Sequence, residues 1–241
     1  MLRVENITGG YHHLPVLTEV SFEVKSGELV GLIGLNGAGK STTIKEIIGL
    51  LRPDKGRISL GGLTLADDAI AYRKKIGFIP ESPSLYSELT LREHLETVAM
   101  AYDLPIELVM TRAEGLLTLF RLSDKLDWFP TDFSKGMQQK VMLICAFVVE
   151  PELFIIDEPF LGLDPQAIAD LMTLLAEQKA AGKAILMSTH VLDTAERICD
   201  RFVLLHQGRV LAQGSLADLR EQFGDYQASL NSMYLHWTRE A

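Results

Sequence analysis

Val20, Phe22 and Val24 alternate with polar neighbours, the period of a strand with one buried face. Lys25-Ser26-Gly27-Glu28 then turns the chain into the apolar run Leu29 to Ile33, which predicts a strand buried on both faces. Ile76 to Ile79, Leu153 to Ile156 and Ala184 to Ser188 repeat that signature, with helical stretches between them. Buried strands joined by helices predict an α/β fold with a mostly parallel core sheet. Phe202 to Leu205 and Arg209 to Ala212, joined at Gln207-Gly208, predict a hairpin that forms an antiparallel β edge.

Between Pro80 and Glu150 the strand signal gives way to helical periodicity. Thr90 and Glu93 have capping-box spacing before a helix from Leu91 to Tyr102, and an inserted helical subdomain is expected over about 82–150, sharing the main core. Asp164 and Pro165 supply the cap and first position of a helix reaching about Ala181, with Gly182 ending it. The main domain is expected to span 1–223. Beyond it, Leu230, Met233 and Trp237 share one face of a C-terminal helical tail, 224–241, that closes the domain. No internal repeat or Pro/Ser-rich linker divides the chain.

The 241 residues are 47% hydrophobic, enough for one substantial core. Net charge is −9 without a basic stripe, which excludes nucleic acid as the main partner. The longest uncharged apolar run, Val141 to Val149, is about half of the roughly 20 residues a membrane-spanning helix needs. The N-terminal residues lack the pattern of an export signal, so a cytosolic setting is expected. Cys145 and Cys199 have no ligand spacing around them and read as buried, inert thiols.

Against this frame stands a set of residues suited to phosphate chemistry. Gly34-Leu35-Asn36-Gly37-Ala38-Gly39-Lys40-Ser41 follows a strand and opens a helix, so backbone N–H groups and the helix N-terminus converge on phosphate oxygens. Lys40 is expected to reach the β- and γ-phosphates, Ser41 to place its hydroxyl on Mg²⁺, and Thr42 to bond the α-phosphate. Asp157 and Glu158 end a buried strand at the sheet edge where ligands collect. Asp157 is expected to hold the metal through water and Glu158 to polarise the attacking water. His190 follows another strand at the same edge, within reach of the γ-phosphate or that water. His12, His13, His94, His206 and His236 lack such company and read as structural or surface residues. Phe133-Ser134-Lys135-Gly136-Met137 opens a helix whose tip is a second phosphate element, about twenty residues before the acidic strand. Together these predict an ATPase whose active site needs two copies.

From Leu2 to about Phe223 the chain resembles the ATP-binding subunit of ABC transporters, a P-loop NTPase of the ABC type. The resemblance places the Walker A loop at Gly34 to Ser41, the Walker B carboxylates at Asp157-Glu158, the D-loop at Leu161-Gly162-Leu163-Asp164 and the switch histidine at His190. It also implies that Tyr11 stacks on adenine. Two elements depart from the family pattern: LSGGQ stands as Phe133 to Met137, and Glu81 occupies the Q-loop glutamine position. Ser134 and Gly136 remain, Lys135 adds a charge facing the γ-phosphate of a second subunit, and Glu81 would ligate Mg²⁺. Gly77 to Glu81, Phe133 to Met137 and Pro159 to Asp164 are most similar to Ecs-type exporters of Gram-positive bacteria and to peptide-pheromone exporters.

The resemblance implies ATP and Mg²⁺, a separate transmembrane permease, a second and identical ATPase subunit, and a position on the cytoplasmic face of the membrane. It further implies an exporter linked to peptides. Two other functions share the nucleotide chemistry. A soluble ABC ATPase of DNA repair or translation needs a long coiled-coil arm or a tandem cassette, and positions 41 to 133 between Lys40 and Ser134 leave no room for the arm. A regulatory subunit that does not hydrolyse ATP commonly loses the carboxylate present here as Glu158.

Overall fold

The computed structural model describes residues 1–11 and 14–240; His12 and His13 lie outside the described residues. The chain opens with β1 (Leu2–Tyr11), β2 (Leu14–Val24) and β3 (Leu29–Ile33), then α1 (Lys40–Ile47), β4 (Lys55–Leu60), α2 (Ala69–Lys74) and β5 (Ile76–Ile79). Three helices follow, α3 (Leu91–Ala101), α4 (Ile106–Phe120) and α5 (Lys135–Phe147). The remainder is β6 (Leu153–Asp157), α6 (Pro165–Ala180), β7 (Ala184–Thr189), α7 (Leu192–Ile198), β8 (Arg201–His206), β9 (Arg209–Gly214), α8 (Leu216–Phe223) and α9 (Leu230–Glu240).

Among the described residues the main sheet has six strands in the order β5-β6-β7-β3-β8-β9. All neighbours pair in parallel except β8 with β9, so the mostly parallel sheet with an antiparallel edge is the observed one. The hairpin signature concealed one fact about β8: its other side pairs in parallel with β3, from Val30↔Arg201 to Ile33↔Leu204, and only β9 is an edge. The continuous apolar runs are explained by burial on both faces. In β6, Leu153 and Ile155 face the core beneath α1 and the second sheet, whereas Phe154 and Ile156 face the core under α5 and α6.

The second sheet, β2-β1-β4, is antiparallel throughout, and hydrophobic alternation predicts only β2 of its strands. In β1 the pairing register shifts between Val4 and Ile7, where Asn6 adopts φ 48°, and that shift inverts the phase of alternation. β4 buries only Ile58, Ser59 and Leu60, too short a stretch to stand out.

The predicted caps form. Thr90 and Glu93 bond each other's backbone N–H groups at the start of α3, and the Asp164 carboxylate accepts the Ala167 N–H at 2.8 Å at the start of α6. Of the isolated histidines, His94 is buried and satisfied: its Nδ1 bonds Thr90 O at 2.8 Å and its Nε2 accepts the Tyr86 N–H at 3.0 Å. Burial pushes the Cys145 thiol up to about 12 and that of Cys199 higher still, which suppresses the reactive thiolate. None of the helices among the described residues is long and apolar enough to cross a membrane.

Glu46, on α1, is fully buried, and neither carboxylate oxygen has a hydrogen-bond partner. Burial, with the charge of Asp54 adding, pushes its carboxyl up to about 7. The folded chain therefore binds a proton that the unfolded chain releases, and stability falls as pH rises from the usual carboxylate range to about 7, then levels off. Glu46→Met, close in volume, is expected to flatten that dependence and to raise unfolding free energy at pH 8 by roughly 2 kcal/mol. Urea titrations at pH 5 and pH 8 measure it; equal gains at both would show that charge is not the cause.

Candidate active site

β3, β6 and β7 lie side by side and end at one edge of the sheet, and their C-terminal residues gather the candidate groups there. β3 delivers Gly34; Gly37 at φ 82° and Gly39 at φ 108° let the loop close onto α1, which begins at Lys40. A cavity of about 250 Å³ opens at this edge. Leu35, Asn36, Gly37, Gly39, Lys40, Ser41 and Thr42 form its loop side, while Glu81, Asp157, Glu158 and His190 close it from the other strands. Gly34 and Ala38 lie behind the lining: Gly34 O accepts the Lys40 ammonium at 2.7 Å, and Ala38 O accepts the Gly208 N–H at 3.0 Å.

The carboxylate of Glu158 is the centre of the site. Its Oε1 lies 3.7 Å from Lys40 Nζ and 2.9 Å from His190 Nδ1, and the side chains of Lys40 and Glu158 are each only 8% exposed. A carboxylate oxygen only accepts, so His190 presents its proton on Nδ1, and the His190 backbone N–H reaches Oε2 at 3.4 Å. Glu158 itself adopts φ 48°, a left-handed conformation that costs a residue with a Cβ about 1–2 kcal/mol. Its N–H is held by Ser188, through O at 3.2 Å and Oγ at 3.3 Å.

The Ser188 hydroxyl donates to Asp157, its partner in the β6–β7 register. Burial above all, and the neighbouring Glu158 charge, push the Asp157 carboxyl upwards; hydrogen bonds from Ser188 and Ser41 and the charge of Lys40 oppose this. The sequence pattern marks Ser188 only as the end of a buried strand. Its signal was a hydroxyl at the end of an otherwise apolar buried run, opposite an acidic strand end.

Ser41, Glu81 and Asp157 share the cavity, and two carboxylates with a hydroxyl are hard oxygen donors. Among the described residues no group of three acidic, His or Cys side chains forms a ready cation cage. That set fits Mg²⁺, which keeps waters and takes phosphate oxygens for its remaining positions, and a buried Asp157 of raised pKa is a group a cation would stabilise in its charged form.

Two sets of predicted residues are not brought to this cavity. Tyr11 stands outside it at the end of β1, 38% exposed, with the Lys45 ammonium 3.0 Å from its hydroxyl; Val16 lines the cavity on that side. Ser134, Lys135 and Gly136 lie at the N-terminus of α5, where Ser134 Oγ accepts the Met137 N–H at 3.3 Å and Lys135 is exposed. The glycine at 136 has a structural cause within this chain: a Cβ there would meet Gly162 O at 2.6 Å. Lys140 of α5 also pairs with Asp164 at 2.8 Å and, with the Ala167 N–H, holds that carboxyl below the usual range. The α5 tip and the turn Leu161 to Asp164 thus form one braced unit.

A family model described as ABC transporter matches residues 17–161. The chain is 56% identical over 240 residues to the ABC-type transporter ATP-binding protein EcsA of Bacillus subtilis (strain 168), covering 100% of this chain and 97% of the relative. A solved structure of an ATP-binding subunit of an ABC transporter superposes with a TM-score of 0.96 at 56% identity, covering 99% of each chain. A dimeric post-hydrolysis state of the ATP-binding cassette MJ0796, bound to ADP and Pi, superposes with a TM-score of 0.79 at 26% identity over 89% of this chain and 98% of that one. Phosphate loop, acidic strand end and following histidine converge on one carboxylate within that fold, and the chain belongs to the ABC transporter family as an ATP-binding subunit.

Proposed function

We propose that the chain is the ATP-hydrolysing subunit of an exporter and works as a head-to-tail pair with a second, identical copy. One observation carries this: Lys40 and His190 meet on Glu158 inside one cavity, while the Ser134-Lys135-Gly136 tip, exposed at Ser134 and Lys135, lies outside that cavity. A helix N-terminus with a serine cap is suited to anionic oxygen, and a facing copy would bring it to the open side of the phosphate site. The dimeric relative bound to ADP and Pi supports such an arrangement.

In this mechanism the loop N–H groups and Lys40 hold the triphosphate, with Thr42 at the α-phosphate and Tyr11 flanking the base. Glu158 orients a water and accepts its proton as it attacks the γ-phosphorus and the bond to the β–γ bridging oxygen breaks, releasing ADP, and His190 keeps the carboxylate aimed. Ser134, Gly136 and Lys135 of the facing copy stabilise charge on the γ-phosphate oxygens. Mg²⁺, held by Ser41, Asp157 and Glu81, would neutralise phosphate charge when bound. The chain would sit at the cytoplasmic face of the membrane on a separate permease, docked through the Glu81 to Leu89 segment. There Leu85 packs on the core, Tyr86 is 64% exposed, and the Tyr86 N–H is pinned by His94. Similarity to the Bacillus subtilis protein supports Ecs-type export, with peptides as the proposed cargo.

The test mixes two inactive variants of the full chain in complex with its membrane subunit. Lys40→Ala destroys one face of a composite site and Ser134→Arg the other, so a mixed pair retains one site in which both faces are intact. Each variant alone is expected to be inactive, and an equimolar mixture to recover roughly a quarter of wild-type turnover, one intact site in half the pairs. No recovery on mixing would mean that each chain completes its own site.

A further inference from the structure

We infer that Tyr234, on the C-terminal helix α9, is a positioning residue for the phosphate loop. The residue is 1% exposed, and its hydroxyl both accepts the Leu35 N–H at 3.0 Å and donates to Leu205 O, at the end of β8, at 3.0 Å. Burial pushes the phenol further above its usual range, so the group stays neutral and keeps both roles.

The Leu35 N–H belongs to the same planar peptide as Gly34 C=O, and Gly34 O accepts the Lys40 ammonium at 2.7 Å. One rigid peptide therefore connects the Tyr234 hydroxyl, on one edge, to the cation that meets the triphosphate, on the other. Rotation of that plane would move Gly34 O away from Lys40 or pull the ammonium with it. Tyr234 fixes the plane against β8, a neighbour of β3 in the sheet.

α9 is itself anchored. Leu230, Met233 and Tyr234 pack on Ile33, Phe202 and Leu204 of the sheet and on Ala195 of α7. Glu196 of α7 accepts the Leu230 N–H at 2.9 Å, and Arg220 of α8 binds both Glu196 at 3.2 Å and Ala228 O at 2.8 Å. α7 is the helix that follows His190. The C-terminal helix thus joins the two flanks of the site, the loop that carries Lys40 and the element next to His190.

The inference rests on nucleotide binding at Lys40, and the experiment separates the two. Full-length chains are compared by equilibrium ATP binding, by kcat and KM for ATP, and by thermal melting. Tyr234→Phe is expected to weaken ATP binding and raise KM about fivefold, the equivalent of about 1 kcal/mol, while kcat stays within about twofold, because a loop contact serves ground state and transition state alike. Met233→Ala removes packing from the same helix without touching the hydroxyl; it is expected to lower the melting temperature at least as much and leave KM within about twofold. Wild-type KM in Tyr234→Phe, with ATP binding lost in Lys40→Ala, overturns the inference alone. An equal rise of KM in Met233→Ala also overturns it, since loss of stability would then suffice. Wild-type binding in Lys40→Ala removes the nucleotide site and the inference with it.

Discussion

Glu158→Gln is expected to lower kcat for ATP by about 10²–10⁴-fold while leaving ATP binding at or above the wild-type level. The amide keeps the size of the side chain and an oxygen that accepts from His190 Nδ1, now 2.9 Å from Oε1, so the geometry survives. What disappears is the negative charge that, in the proposed mechanism, polarises water and accepts its proton. Lys40, 3.7 Å from the same oxygen, also loses a buried competitor for its ammonium, so phosphate binding does not suffer. Pre-steady-state turnover with measured ATP occupancy separates these terms. A kcat within tenfold of wild type would show that another group serves as the base.

Gly208→Ala is expected to destabilise the fold by at least about 4 kcal/mol, a fall in melting temperature of roughly 10 °C for a chain of this size. Gly208 sits at φ 75° in the turn between β8 and β9, and a Cβ there would lie 1.7 Å from Val16 O. The turn has nowhere to go: Gly208 O accepts the Thr18 N–H of β2 at 2.8 Å, and its N–H donates to Ala38 O of the phosphate loop. Relief of the clash would break one or both bonds and displace the loop, so ATP affinity is expected to fall too. Gly182→Ala is the control. It has φ 85° but nothing within 4 Å of a Cβ, so only backbone strain of about 1–2 kcal/mol is expected. Equal losses in the two variants would refute the steric cause.

Nearly all of the parallel sheet was legible, because strands buried on both faces must be continuously apolar, and Leu29 to Ile33, Leu153 to Ile156 and Ala184 to Ser188 are. The caps of α3 and α6 were legible too, since Thr90/Glu93 and Asp164/Pro165 act over one helical turn. β1 and β4 were not: the register shift at Asn6 inverts the alternation of β1 midway, and β4 is half exposed. Pairing on both sides of β8 was equally hidden, because a hairpin signal reports one partner only.

In the site, the sequence alone determined which groups are available: a glycine loop closed by Lys40 and Ser41, carboxylates at a strand end, and a histidine after a strand. These are local patterns, set by backbone freedom and by the apolar run that precedes each. Tertiary structure decided what meets what. It placed Lys40 and His190 on one oxygen of Glu158, put Ser188 under Asp157, kept Ser134 out of the cavity, and brought Tyr234 from the far end of the chain to the Leu35 N–H. Those meetings depend on strand order and on helix packing across distant segments, and no periodicity within one segment encodes a distance to another.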